Sequence, residues 1–593
     1  MIAERQLIDT DVLVVGSEGA GSRAAIEVAR SGLKVIVATK GVFTRCGATV
    51  TAGMDIDLPS RDAKEIFGLP GDESDTIETF AQDMFEEGKY INNEEVVFAH
   101  CVNAAKYIKE LADWGMKIES LTQAPGHRYP RGIWSTGRSM MSALKRGARQ
   151  HRIDFTEHTM ITNLLTRGGR VVGAVGIDSL TGDFLVFRAK AVVLATGGAM
   201  RLYPITTAPE ELTGDGLYLA YQAGAELVDM EFPLFLPCCL YWPESMLGQS
   251  MYGINNEANG WWLNKFGVRF IEKWDPVRME IGTTRDVASI AMAMEILEGR
   301  GSPHGGVFLS FKHIPGEILD IAAEASVFLH DLFYGNFALA KFDMDPKKVA
   351  FEVGPAAHYW NGGIKVNGNG ETTVPGLFAA GEVQGGTMGA NRLSGNAVTE
   401  CVVFGALAGS SAARFTQNTP PPELDEEQVT GYQKQISAPL TKKDGTDVYE
   451  ARRKLQEVAF KYAGPIRDES GLTKCLAEAA KIKQEVLPNQ TTRNKGLVHN
   501  REWVMALENQ AMTQVLEIVA SASLMRRESR GAMYRLDYPK TDNRDWLKNI
   551  FVKDSNGKVS LEAKSVVTGP SITLPERTKV PYMVPTWKFD KKM

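Results

Sequence analysis

Two short apolar runs flank an alanine-rich amphipathic stretch near the start of the chain. DVLVVG (11–16) and KVIVATK (34–40) both read as buried strands. Between them Ala20, Ala24, Ala25, Ile26, Val28 and Ala29 recur at helical spacing and predict a helix with a small-residue face. Strand, helix and strand together form a βαβ unit, as expected for an α/β dinucleotide fold. Residues 75–118 read as helical, with Phe80, Met84, Val96, Val97, Ala104, Ile108 and Leu111 at apolar positions. RVVGAVGIDSLTGDFLVFRAKAVVLATGG (170–198) reads as a hairpin whose last, continuously apolar strand ends on a glycine pair. In LTGDGLYLAYQAGAELVDMEF (212–232), Asp215 opens a helix at a natural N-cap position.

The pattern changes from about 236 to 350. Trp242, Trp261, Trp262 and Trp274 cluster there, and a helical run around 286–297 carries Val287, Ala288, Ile290, Ala291 and Ile296. Sequence of the first type resumes at 351, so the stretch reads as an insertion. NTPPPELDEE (418–427) is a proline- and acid-rich linker, and 427–527 reads as amphipathic helices. The expected organisation has an α/β Rossmann-like domain in two parts, 1–235 and 351–417. An α+β capping domain (236–350) is inserted between them. A helical domain (418–545) and a strand-and-loop segment (546–593) follow.

The 593 residues exceed what one hydrophobic core holds, so two to four domains are expected. A net charge of -6 argues against a nucleic-acid surface or a polybasic membrane patch. No run is long and apolar enough to span a bilayer, and the first residues lack an apolar signal core. A cytoplasmic protein is expected, peripheral to a membrane only through partners. The six cysteines form no CxxC pair, so no metal site of the chain's own is expected. Cys238–Cys239 could form a vicinal disulfide or contact substrate; two small apolar residues lining a cavity is the favoured reading.

Candidate chemistry begins at the first turn. Gly16 and Gly21 fill the outer places of a G-x-G-x-x-G fingerprint, Glu18 holds the middle place, and Gly19 follows it. The second strand ends on Thr39 and Lys40, where a ribose-binding acid is usual. The richest stretch is HYWNGGIKVNGNGETTVPGLFAAGEVQGGTMGANRLSGNAVTECV, which begins at His358. Its small residues let backbone approach a flat cofactor, while His358, Glu382 and Arg392 supply polar and charged groups.

This segment resembles the second flavin-contacting segment of the succinate dehydrogenase/fumarate reductase flavoprotein family. MRRESRGAMYRLDYPKTDNRDW (525–546) resembles that family's tail signature, SRGAHxRxDxPxRDDxxW, with Met533 at the histidine. The resemblance runs in family order over roughly 8–546. It implies FAD, held at the first turn by Gly16, Glu18, Gly19, Ala20 and Gly21, with Thr39 and Lys40 beyond it. Further contacts are implied from Ala48, Thr49 and Gly53, from Thr196, Gly197 and Asp215, and from Glu382, Arg392, Asn396, Ala397 and Val398. Ala48 stands where the family's R-S-H-T-V-S-A run carries the histidine bonded to flavin, so the FAD is expected to be non-covalent.

The resemblance assigns catalytic roles to three residues. Arg285, in GTTRDVASIAMAM, matches the arginine proposed as proton donor; with a guanidinium pKa above about 12 it must be held rigidly and relayed to other groups. His358 and Arg392 match the residues that clamp one substrate carboxylate. Structural alternatives are an Arg285–Asp286 ion pair at a helix start, a turn role for His358 and flavin support by Arg392. The other half of the family site is replaced: the FHPTG histidine aligns with Leu236, and the threonine and acid align with Tyr252 and Gly253. Leu236, Tyr252 and Cys238, with Cys239, are expected to line the substrate pocket. Glu257 or Asp286 would compensate for the lost acid.

These features imply a flavin-dependent oxidoreductase. Hydride would pass between flavin N5 and a C–C bond beside a carboxyl-type group, on a small carboxylate or acyl substrate that need not be fumarate. Electrons would pass to or from a separate iron–sulfur subunit. The alternatives are a flavoprotein like the α subunit of adenylylsulfate reductase, and an electron-relay flavoprotein in a larger complex.

Overall fold

The computed structural model describes residues 5–252, 258–325 and 339–582. At its centre the strand Arg5–Val15 runs parallel to Val35–Ala38 on one side and Phe184–Leu194 on the other. Val12 lies between Val35 and Ala191 in register. Burial on both faces explains why Val12, Leu13, Val14 and Val15 form an unbroken apolar run. The sheet extends through Asp154–Thr156 at one edge. At the other it continues through the antiparallel strands Arg170–Asp178 and Thr159–Arg167. Leu377–Ala379 pairs with Phe184–Leu194 and carries the later part of the chain back to the sheet.

The small-residue face of helix Gly19–Arg30 packs against helix Asn396–Gln417. A Cβ on Gly405 would lie 2.6 Å from the Ala20 carbonyl oxygen, and one on Gly409 would lie 2.4 Å from that of Ala24. Only glycine permits this approach, which sets the second glycine-rich segment beside the first.

The capping sheet has strand order Pro233–Leu240, Phe351–Trp360, Val307–Ser310, Trp261–Leu263, with helix Arg285–Leu297 against it. Pro233–Leu240 crosses the limit 235/236 and Phe351–Trp360 lies wholly beyond 350, so the cap sheet draws on strands from both sides of the insertion. The four tryptophans do not form one cluster. Trp262 is buried in the cap core, whereas Trp242 stacks on His304, Trp261 stacks on His313, and Trp274 meets Tyr534 edge-on.

Residues 75–118 resolve into two helices, Ile77–Glu87 and Glu94–Asp113, whose first amides are capped by Thr76 and Asn93. The turn between them places Lys89 and Tyr90 in the left-handed region. The helices Glu426–Thr441, Val448–Ala463, Glu469–Lys481 and Arg501–Met525 follow the linker. The hairpin Lys548–Ser555 and Lys558–Ser565 is not a free-standing unit: Val552 pairs with Leu227, joining a sheet that also holds Gly363–Lys365 and Gln384–Gly385. No helix among the described residues is long and apolar enough to cross a membrane.

Candidate active site

A cavity opens at the C-terminal ends of the parallel strands, where α/β folds place their ligands. Gly16, Glu18, Gly19 and Ala20 line it from the first turn, and Thr39 and Lys40 from the second strand. Ala48, Thr49, Thr196, Gly197, Asp215 and Glu382 complete the predicted residues that reach it. Gly16 has φ +105°, and a Cβ there would stand 2.2 Å from the Ala195 carbonyl oxygen, so the turn demands glycine. Gly21 acts behind the cavity, where a Cβ would meet the Gly16 carbonyl oxygen at 1.9 Å.

Helix Gly19–Arg30 starts at this cavity; the Glu18 side chain makes no cap bond to it, and Gly19 N donates to Thr49 Oγ1 at 3.3 Å. Free amides and the helix dipole together favour an anion there. Thr196 Oγ1 is buried without a hydrogen-bond partner. The residues present fit a dinucleotide with a diphosphate, and FAD bound there supplies hydride and electron transfer.

Several predicted contacts are placed differently. Asp215 is the first helical residue, after Gly214 at φ 81°, and is not the N-cap. Its carboxylate turns to Lys40 Nζ at 2.6 Å, a pairing across the cavity that local sequence does not show. Lys40 also reaches Glu508 at 3.0 Å, so its ammonium is already engaged. Gly53, Asn396, Ala397 and Val398 are not among the residues lining this cavity. Gly53 pairs with Thr136 at the head of a strand. Asn396 donates to Asp57 at 2.7 Å and meets His100 Nε2 at 2.8 Å, tying its helix to the strand Gly53–Asp57. Burial pushes His100 down to about 4. Ala397 packs beside Leu234, Tyr359, Met388 and Ala532, and Val398 against the main core.

Arg285, His358 and Arg392 converge from three elements. Arg285 opens the cap helix, and its Nη2 donates to Ser394 Oγ at 2.8 Å. His358, near the end of strand Phe351–Trp360, meets Thr207 Oγ1 through Nδ1 at 2.8 Å and Arg392 Nη2 through Nε2 at 3.4 Å. Arg392 lies 4.4 Å above the Tyr359 ring, and Tyr359 donates to Glu400. Arg285 is 5.6 Å from the Tyr252 ring centroid. Asp286 does not pair with Arg285: it accepts from Thr284 Oγ1 at 2.5 Å and faces Lys89 at 3.9 Å.

The electrostatics call for an anion. Burial, then repulsion by Arg285, lowers Arg392 to about 10. Burial and the two guanidiniums push His358 well below the usual imidazole range, so it is neutral at pH 7. The Nε atoms of both Arg285 and Arg392 are buried without partners. Two neighbouring cations with unused donors are stabilised by a carboxylate that accepts from them. Thr207 and Ser394 are parts of this centre that the sequence reading missed. Ser394 lies two residues after Arg392 in NRLSGN, a usable hint; Thr207 has no motif around it.

The far side is apolar. Leu236, Tyr252, Cys238 and Cys239 belong to the buried cap cluster. A register shift between Leu236 and Cys239 places Cys238 at φ 57°. Cys238 is fully buried, with Trp262 and Glu280 near its thiol, in the cap core and not among the charged groups. Both thiols are free, so the pair forms no disulfide. Gly253 and Glu257 lie outside the described residues.

The cavity beside the glycine turn and the cluster of Arg285, His358 and Arg392 suit a flavin-type oxidoreductase. Residues 11–398 match the FAD binding domain family, and residues 452–579 match the fumarate reductase flavoprotein C-terminal family. The chain is 35% identical to an uncharacterized FAD-dependent oxidoreductase of Methanocaldococcus jannaschii, covering 92% of this chain and 96% of that one. It is 32% identical to one subunit of the CoM/CoB fumarate reductase of Methanothermobacter marburgensis, over 93% and 98% of the two chains. The Mycobacterium smegmatis Sdh1 complex superimposes with a TM-score of 0.85 at 31% identity, over 96% of each chain. The chain belongs to the fumarate reductase/succinate dehydrogenase flavoprotein family and is an FAD-dependent oxidoreductase acting on CH–CH bonds.

Ala48 lines the cofactor cavity with a methyl group. Acid precipitation of the FAD-loaded protein is therefore expected to leave the flavin absorbance in the supernatant. Flavin absorbance retained in the washed pellet would show a covalent bond.

Proposed function

We propose that this chain reduces or forms a C–C double bond beside a single carboxyl-type group, in a substrate whose far end is apolar, aromatic or a thioester. The observation that carries this reading is the asymmetry of the site. Arg285 and Arg392 offer unused Nε donors at one end, beside neutral His358, while Leu236 and Tyr252 stand on the apolar cap side. A second carboxylate desolvated against those groups would cost several kcal/mol, on the order of burying an unpaired polar group. Arg392 and His358 bind and orient the carboxyl-type group. Arg285, held by Ser394, gives or takes the proton at the carbon opposite the one that exchanges hydride.

An iron–sulfur electron partner, carried on a separate subunit, belongs to the same proposal. The cysteine spacing offers no cluster ligands, and relatives are named as subunits. A cytoplasmic location, with membrane contact made through partners, is consistent with it. Retention of Arg285 and His358 favours hydride chemistry over the adenylylsulfate reductase and electron-relay readings.

The test is anaerobic reoxidation of the reduced, FAD-loaded protein, followed by flavin absorbance. Monocarboxylic enoates or enoyl thioesters are expected to reoxidise the flavin at least tenfold faster than fumarate. Equal or faster reoxidation by fumarate would make Leu236 and Tyr252 tolerated replacements and overturn the substrate class.

A further inference from the structure

The cofactor cavity carries an excess of acidic groups for a ligand that is itself an anion. Glu18, Glu211, Asp215 and Glu382 line it against one ammonium, Lys40, and that ammonium is paired with Asp215 and Glu508. FAD must bring a dianionic diphosphate into this setting.

Glu18 occupies the position of greatest consequence. It immediately precedes helix Gly19–Arg30, in the middle glycine place of the fingerprint, yet its carboxylate does not cap that helix. Oε2 instead accepts from the backbone amides of Thr49 at 2.9 Å and Val50 at 3.3 Å. This leaves the helix N-terminus unoccupied by the Glu18 carboxylate, with Gly19 N donating to Thr49 Oγ1 at 3.3 Å. It also leaves Oε1 buried with no hydrogen-bond partner. Gly47 packs against the side chain so closely that a Cβ there would meet Glu18 Cγ at 2.4 Å, so the carboxyl has little room to swing away.

The groups around Glu18 do not neutralise it. Glu211, which accepts from Gly47 N at 3.4 Å, repels it. The Cys46 and Cys401 thiols are held protonated by burial, Cys46 with a value of about 11. Among the described residues no ion pair reaches Glu18. Burial outweighs the hydrogen bonds from Thr49 and Val50, and Glu211 adds to it, raising the Glu18 carboxyl to about 7.

We propose that Glu18 couples FAD binding to the uptake of one proton from solvent. Protonation removes a negative charge beside the diphosphate site and turns the orphaned Oε1 into an O–H donor for an anionic or hydroxyl oxygen of the ligand. A dianion nearby favours the neutral carboxyl further, so the bound form holds the proton to higher pH. The sign follows from linkage. Below the transition the carboxyl is already protonated and affinity is level. Above it each FAD must bring a proton, and Kd rises about tenfold per pH unit.

The test titrates FAD into flavin-stripped protein, read by flavin fluorescence, from about pH 6 to pH 9. Calorimetry in two buffers of different ionisation heat counts the protons taken up. Wild type is expected to take up about one proton per FAD at about pH 8.5, with the tenfold slope. Glu18→Gln, which keeps the acceptor for Thr49 N, should lose that slope and bind FAD at least tenfold tighter than wild type at about pH 8.5. Glu18→Gly, which restores the fingerprint glycine, should do the same and stands in if the glutamine variant fails to fold. Glu211→Gln should keep the slope. No proton uptake by wild type, or uptake unchanged in the Glu18 variants, would overturn the proposal. None of these readings depends on the substrate.

Discussion

Arg285→Gln is expected to leave FAD bound and to slow substrate-driven flavin reoxidation by about 100- to 10,000-fold, the range typical of a lost general acid or base. Gln keeps a polar amide but carries no charge and no acidic proton to give. The native guanidinium is well placed for transfer. Its Nη2 is fixed on Ser394 Oγ, and its helix is anchored by Ser289 donating to the Phe235 carbonyl at 2.7 Å. The carboxyls of half-buried Asp55 and buried Asp57 and Glu87 lie within its electrostatic reach and are raised by desolvation, so protonatable groups surround it. A purely structural arginine would give a different signature, with loss of flavin or of folded protein and little change in rate per bound flavin. The measurement is anaerobic stopped-flow reoxidation normalised to bound FAD. A rate within about tenfold of wild type would remove Arg285 from the chemistry.

What the sequence revealed about this centre depended on range. The fingerprint turn is local: Gly16, Gly21 and the alanines of the following helix lie within one βαβ unit, and each has a nearby steric reason to be small. His358 and Arg392 were legible because they sit in one glycine-rich segment. The Lys40–Asp215 pair was not, since it joins two segments through the cavity. It explains why an acid at a helix start failed to act as a cap. The cap limits were hidden because Pro233–Leu240 and Phe351–Trp360 are apolar strands like those of the main sheet. Only the pairing of Leu236 with Ala356 shows that they belong together. The left-handed turn at Cys238 was hidden likewise, as a register shift in one strand cannot be read from its own composition.

The loss of Arg131 is expected to destabilise the flavin domain by about 3–5 kcal/mol, the range seen when one partner of a buried ion pair is removed. Arg131 is fully buried and grips Asp75 with a two-pronged contact at 2.7 and 2.8 Å, while Nη1 meets Asp83 at 2.5 Å. Arg131→Met keeps much of the volume over the Phe80 ring but strands two buried carboxylates, with Arg128 beside Asp83 as partial relief. In the variant the Asp83 carboxyl, already raised by burial, loses the guanidinium that lowers it and should titrate above its unfolded value. The folded form then binds more protons than the unfolded one, so the defect should be largest at neutral pH and shrink as pH falls toward about 5. The damage should also reach the active centre. Arg131 Nη1 lies 3.4 Å from His127 Nδ1, and His127 Nε2 meets the Ser394 carbonyl at 3.0 Å, on the residue that holds Arg285. Urea denaturation at about pH 7.5 and pH 5, read by flavin release, checks both parts. A midpoint shift equivalent to less than about 1 kcal/mol at neutral pH would mean that the two acids find other partners or water when the guanidinium is gone. A shift of the full size that persists unchanged in acid would assign the loss to packing around Phe80 instead of charge.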